Sequence, residues 1–292
     1  MARKVRGSII YQVKSRFREL EAFGKSKPKG SDKIHSYGTM KTYLNHSLQF
    51  AEYCRNNYNC RNLEDCKPYI KEYIEGNKYS SWVKKVQRSA IAKMYGVSAE
   101  ELGKIDTGKC LRSDVKRSRG KAIRDKHFSE TGKYKDYVTF CKATGLRKSE
   151  VEALRGTAFY VDENGKKFLK VTDDTKGGRI RDVPILEEYA DLVEKACLKA
   201  SKGLVIPYIA ADRLKAPSGA DTHSYRANYA RALYDRLKRP IEEIPQGQGE
   251  KYFCRGDLKG IIYDKEAMRI VSQALGHSRI NIIAKSYLHG GN

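Results

Sequence analysis

Up to about residue 155 the apolar residues of this chain recur at three- and four-residue intervals, and no stretch alternates with period two. Such a pattern can bury its apolar atoms only as helices packed on helices. Tyr43, Ser47, Phe50 and Cys54 share one helical face, widened by Leu44, Leu48 and Ala51. A second helix is expected through Leu63–Ile74. A third carries Trp82, Val86, Ala90 and Met94 and stops at Gly96, and Ser98 with Glu101 has the spacing of a capping box for a short fourth. The first part of the chain therefore reads as a small all-α domain, its helical pattern beginning near residue 9.

Beyond Phe128 the pattern changes. Tyr137–Cys141 opens a helix ending at Thr144-Gly145, and Ser149 with Glu152 predicts the cap of the next. Phe159–Val161 and Phe168–Val171 flank Asp162-Glu-Asn-Gly165, the signature of a hairpin. A third strand is expected over Ile180–Ile185. Helices follow at about 186–200 and 223–238. A Gly- and Pro-bearing stretch at 240–265 holds a short hairpin at Tyr252–Tyr263, and helical pattern returns at 266–275 and 279–288. The fold class expected is mainly α in two domains: an N-terminal all-α domain (1–108) and a C-terminal mainly-α domain (128–292) with a small three-stranded antiparallel sheet. Residues 109–127 form a basic linker. A length of 292 residues accommodates this division, at ~100–200 residues per domain.

Charge then narrows the function. Formal net charge is +23, and residues 1–120 alone hold 26 Lys and Arg against 12 Asp and Glu. An excess this large favours a polyanionic partner, with nucleic acid first. Lys116, Arg117, Arg119 and Lys121 in the linker are candidates to follow a phosphate backbone, where each neutralised phosphate releases counterions. A solvated linker without contacts is the plain alternative. No run approaches the ~20 apolar residues a bilayer crossing needs, and the basic start lacks the apolar core of a secretion signal. Seven cysteines without a CxxC pair fit reduced, mostly buried thiols in a cytoplasmic protein. No phosphate-binding GxxxxGK[ST] loop, HExxH, strand-to-helix GxGxxG or two-metal carboxylate cluster is present, so no cofactor and no metal is expected.

What the second domain offers is cationic and aromatic. Ala143-Thr-Gly-Leu-Arg147-Lys-Ser-Glu150 lies at a turn into a helix, and Lys176 lies in a Gly-rich β-turn. His223-Ser-Tyr-Arg226 opens a helix. Leu275-Gly-His277 precedes a helix that contains Tyr287. In kind and in order this set resembles the tyrosine recombinases, the family of phage-type and mobile-element integrases, and the likeness spans 128–292.

The resemblance implies a catalytic set of Arg147, Lys176, His223, Arg226, His277 and Tyr287. Tyr287 would attack DNA and form a 3′-phosphotyrosyl link, which stores the energy of the broken phosphodiester without ATP. Arg147 and Arg226 suit the non-bridging oxygens, being planar, bidentate and charged at any working pH. His277 would donate to another oxygen, and His223 would bond the phosphate or accept the tyrosine proton. Lys176 would protonate the departing 5′ oxygen, with Lys170 and Arg179 as competitors for that role. Glu150 would orient an arginine or histidine, since a carboxylate aimed at phosphate would repel it. The implied assembly is a clamp on double-stranded DNA, with the helical domain serving as core-binding domain. Four protomers would bridge two specific recombination sites and exchange strands through a Holliday junction. DNA-bending accessory proteins are compatible partners, and no membrane is involved. A type IB topoisomerase, or a non-catalytic DNA-binding protein on the same fold, are the other readings.

Three features depart from the family pattern. His277 and Tyr287 are ten residues apart, one more than the commoner spacing, so a loop or helix irregularity must absorb the extra residue. Pro240–Met268 reads as an insertion, whose Tyr252, Phe253, Arg255 and Lys259 suit DNA, a neighbouring subunit, or no partner at all. Five residues follow Tyr287, too few for a docking helix, so subunits would interlock by exchanging the Tyr287 helix or by other surfaces.

Overall fold

The computed structural model describes residues 7–26, 28, 30–111, 134–173, 175, 179–207, 222–245 and 249–289. The chain divides into two compact units, Met1–Leu111 and Arg112–Asn292.

The first unit is all helical among its described residues: α1 (Ile9–Glu19), α2 (Tyr37–Tyr58), α3 (Leu63–Cys66), α4 (Ile70–Gly76) and α5 (Ser81–Tyr95). Val13, Phe17, Phe50, Cys54, Ile74, Ile91 and Met94 meet in its core. The 43–54 stripe lies on α2 as its spacing requires, with Ser47, Phe50, Ala51 and Cys54 buried. The helix expected through Leu63–Ile74 is instead two helices joined by a 3₁₀ turn at Lys67–Tyr69. Pro68 is the reason: it has no N–H to give and its ring collides with the preceding turn. On α5 the inward stripe is Gln87, Ala90, Ile91 and Met94, while Trp82 stays 40% exposed. Gln87 is tolerated inside because Asn77 donates to it at 3.1 Å and it donates to the Tyr73 hydroxyl at 3.4 Å. Ser98 and Glu101 do bond reciprocally, at 2.7 and 3.3 Å, yet only a turn follows before Gly103.

The second unit joins α6 (Lys135–Thr144), α7 (Lys148–Ala153), β1 (Phe159–Val161), β2 (Lys167–Val171), β3 (Arg181–Pro184), α8 (Ala190–Ala200), α9 (Thr222–Leu237), β4 (Lys251–Phe253), β5 (Ile262–Asp264), α10 (Lys265–Ala274) and α11 (Asn281–Ile283). The first three strands form an antiparallel sheet in the order β1-β2-β3, and β4 pairs with β5. Leu169 faces Val183 and Val171 faces Arg181 across the sheet. All four are buried, so Arg181 occupies an inward place that strand alternation reserves for apolar residues. Tyr137, Phe140, Val151, Val193, Tyr225, Tyr229, Val271 and Ile283 fill the core around them. The fold is thus mainly α, with one small three-stranded antiparallel sheet. The described residues of the 240–268 segment include the β4–β5 hairpin and the start of α10. Six cysteines are buried and Cys110 is partly so, all as free thiols. No helix among the described residues is long and apolar enough to cross a membrane.

Asp264 ties the hairpin to α10. Its carboxylate caps the helix by accepting from the Glu266 and Ala267 amides, at 3.0 and 3.4 Å, and it takes a bidentate pair from Arg239 at 2.8 and 2.9 Å. The Arg239 guanidinium, outweighing the opposing effect of burial, holds this carboxyl well below the usual carboxylate range. Asp264→Asn is therefore expected to lower stability by about 2 kcal/mol at neutral pH. A depressed folded pKa contributes stability above the unfolded value of about 4, and that contribution is lost as pH falls further. Urea unfolding at pH 7 and pH 3 should show the gap between wild type and variant shrinking at the lower pH. An equal gap at both would rule the ion pair out as its source.

Candidate active site

The site grows from the α6–α7 turn. Gly145 ends α6 in the left-handed region at φ 59°, and a Cβ there would come 2.5 Å from the ring of the fully buried Tyr229. Glycine meets both constraints at once. Its carbonyl accepts from Arg226 Nη1. Leu146 is buried, and Arg147 then caps α7. The cap differs from the Ser149–Glu152 box expected: Glu150 reaches back to the Arg147 amide at 2.8 Å, which starts the helix earlier and leaves Ser149 inside it. Glu150 also accepts from Arg147 Nη1 and from Arg181 Nη2, each at 2.8 Å.

Arg226 lies on the first turns of α9 and is 3% exposed. Besides Gly145 it binds the Leu275 carbonyl through Nη2 and the Tyr287 hydroxyl through Nε, at 3.1 Å. Arg147 Nη2 reaches the same Leu275 carbonyl at 3.4 Å, so one backbone oxygen joins the two arginines. His277, two residues on, places Nε2 3.1 Å from the Tyr287 hydroxyl. The turn carrying Tyr287, Ala284–Leu288, is π-helical, the form in which a helix takes up one extra residue.

Arg147, Glu150, Arg226, His277 and Tyr287 are thus joined in one hydrogen-bonded network. His223 is exposed on α9 and lines, with Arg147, Lys148, Ser149 and Arg226, an open cavity of about 370 Å³. Lys176 and the linker residues Lys116, Arg117, Arg119 and Lys121 lie outside the described residues. Of the competitors for the Lys176 role, Lys170 is exposed on β2, and Arg179 donates to the Gly276 carbonyl at 3.3 Å.

Two guanidiniums, Arg147 and Arg181, share one carboxylate here. Burial pushes the Glu150 carboxyl up, but the hydrogen bonds from Arg181 and the Arg147 amide, with both guanidinium charges, outweigh it and hold the group below its ordinary value. Burial lowers the Arg226 pKa, and the neighbouring Arg147 charge works the same way. Among the described residues the bonds to Gly145, Leu275 and Tyr287 use three of the five N–H groups of Arg226. Chemically the cluster offers a cationic cradle around a phenol. Among the described residues no group of three or more His, Cys, Asp or Glu side chains could hold a metal ion.

Arg181 is the member that motif reading passes over. It belongs to none of the charged motifs, and its only signal is an arginine on the inward register of a strand that also buries Val183. The carbonyls of Gly145 and Leu275 carry no sequence signal at all.

No protein-family model and no curated protein matches the chain. Among solved structures it is similar to the Tn1549 transposon integrase in complex with circular intermediate DNA, at 11% identity and a TM-score of 0.47, over 97% of this chain and 96% of that one. The same integrase with transposon right end DNA is similar at 11% identity and a TM-score of 0.46, with the same coverage. XerA recombinase is similar at 17% identity and a TM-score of 0.33, over 97% of this chain and 94% of that one. In the order of its charged motifs the chain resembles the tyrosine recombinases.

Proposed function

We propose that this chain is a site-specific DNA recombinase that cleaves and rejoins strands through Tyr287. The observation that carries the reading is the convergence of Arg226 Nε and His277 Nε2 on the Tyr287 hydroxyl, both at 3.1 Å, with Arg147 linked through the Leu275 carbonyl. A free phenol titrates near 10 and is a poor nucleophile at neutral pH. The Arg226 Nε–H donated to its oxygen, joined by His277 Nε2 when that nitrogen carries the proton, would stabilise the phenolate as it forms. Tyr287 Oη attacks phosphorus, the P–O5′ bond breaks, and a 3′-phosphotyrosyl ester replaces the phosphodiester. The phenolic proton passes to a base, for which His223 at the cavity mouth is the candidate. The 5′ oxygen leaves as a hydroxyl, taking its proton from Lys176.

Negative charge grows on the non-bridging oxygens during this step, and fixed cations act most strongly where water is excluded. Arg147 and Arg226 fill that role, with His277 donating to the same phosphate. Attack by a second strand's 5′ hydroxyl reverses the reaction and releases the enzyme. In this reading the helical unit and the basic 109–127 linker clamp duplex DNA. Four protomers bridge two sites, and strands exchange in pairs through a Holliday junction in the cytoplasm.

The test uses nicked duplexes from the DNA flanking the protein's own gene, which trap a cleaved complex because the short 5′ fragment diffuses away. An SDS-resistant protein–DNA adduct is expected, and peptide mapping should locate the nucleotide on Tyr287. An adduct on another residue, or tight site-specific binding with no adduct on any nicked substrate, would overturn the reading.

A further inference from the structure

Arg181 stands on β3 with its side chain 6% exposed, on the inward face shared with Val183. A buried ion pair adds little stability over an apolar side chain of the same shape. Packing alone therefore does not account for an arginine here. Its bonds join two parts of the site. On one side Nη2 meets Glu150 Oε2 at 2.8 Å, the oxygen that also accepts the Arg147 amide, while Glu150 Oε1 takes Arg147 Nη1. Fixing Oε2 sets the carboxylate plane, and the carboxylate plane sets the direction of the Arg147 guanidinium. On the other side Nε donates at 2.8 Å to the carbonyl of Ala274, the last residue of α10. The next carbonyl, Leu275, is the one that holds Arg147 and Arg226. Gly276 then packs close to the Arg181 guanidinium at φ 66°, where a Cβ would stand 3.3 Å from Cδ, Nε and Cζ. His277 follows directly.

We propose that Arg181 is a positioning residue for strand cleavage, holding Arg147 through Glu150 and the Leu275–His277 loop through Ala274 and Gly276. The inference rests on the recombinase reading above. One planar group sets the spacing between the arginine that cradles phosphate and the histidine that meets the nucleophile. Lysine cannot replace it, having one nitrogen where this site uses two in a fixed fork.

The experiment measures duplex affinity and the single-turnover rate of adduct formation on nicked DNA, for wild type, Arg181→Lys, Glu150→Gln and the double variant. Arg181→Lys is expected to bind duplex within about threefold of wild type, since backbone contacts spread over the protein dominate affinity. Its adduct forms about 10²-fold more slowly, the scale of an ångström-sized misplacement. The double variant loses far less than the product of the two single losses, because Arg181 acts through Glu150. Arg181→Met, whose unbranched stem fills the same space, should give the same signature if the lysine variant is poorly folded.

Cleavage at the wild-type rate in both Arg181 variants would overturn the inference, as would single losses that multiply. So would a rate loss matched by an equal loss of DNA affinity. Failure of the wild type to form an adduct would instead refute the recombinase reading itself, so the two failures are distinguishable.

Discussion

Tyr287→Phe is expected to abolish the covalent protein–DNA adduct, a drop of at least about 10³-fold, because loss of a nucleophile removes the step and not just its acceleration. The substitution deletes one oxygen and keeps the ring. Tyr287 packs partly buried against the core of its unit, and the Arg226 guanidinium lies 5.9 Å from its ring centroid, contacts that phenylalanine retains. Arg226 keeps its bonds to Gly145 and Leu275. The Arg226 Nε–H and the His277 ring, relieved of the hydroxyl, remain in place for a phosphate oxygen. Affinity for duplex DNA should therefore stay within about threefold of wild type, since it is dominated by phosphate contacts. A gel-shift titration beside the SDS-resistant adduct assay measures both quantities on one substrate. Adduct formation at the wild-type level would remove Tyr287 as nucleophile, and equal loss of binding and adduct would mark the hydroxyl as structural.

The second large effect is on stability. Glu150→Ala should destabilise the C-terminal unit by about 3–5 kcal/mol, the range seen when one partner of a buried ion pair is removed. The Glu150 side chain is fully buried, its two partner arginines are 24% and 6% exposed, and among the described residues no other acid is paired with either. Truncation leaves two guanidiniums facing each other and strips the first turn of α7 of its cap at the Arg147 amide. Urea unfolding measures the loss. Combining Glu150→Leu with Arg181→Met should restore part of it, because the second change removes a buried charge that the first leaves unpaired. A single variant within about 1 kcal/mol of wild type would mean that water reaches and screens these arginines.

The periodic segments were legible because amphipathic spacing is a local property. The 43–54 stripe, the helix end at Gly145, the 159–171 hairpin and the short hairpin at 252–263 all stand where the residues themselves place them. Boundaries were less legible where two local signals compete. Ser149 and Glu152 have the spacing of a capping box, yet the helix is capped by Glu150 accepting from the Arg147 amide. The decision came from elsewhere in the chain, since Arg181 on β3 holds Glu150 in the position from which it can reach the Arg147 amide. On α5, Trp82 remained exposed and Gln87 went inside because Tyr73 and Asn77 of neighbouring segments supply its partners.

The site divides the same way. Arg147, Glu150, His223, Arg226, His277 and Tyr287 could be named as candidates because the order of the motifs that carry them resembles that of the tyrosine recombinases. By itself the sequence determined the mainly helical class, the basic character and these reactive groups. Tertiary structure alone decided that Tyr287, on a π-helical turn, reaches Arg226 and His277 together. It also decided that two backbone carbonyls, Gly145 and Leu275, hold the arginines, and that Arg181 sits beneath Glu150. Carbonyl oxygens are present at every residue and carry no signal of type. An inward arginine on a strand acquires meaning only when its acid, 31 positions away in sequence, is folded against it.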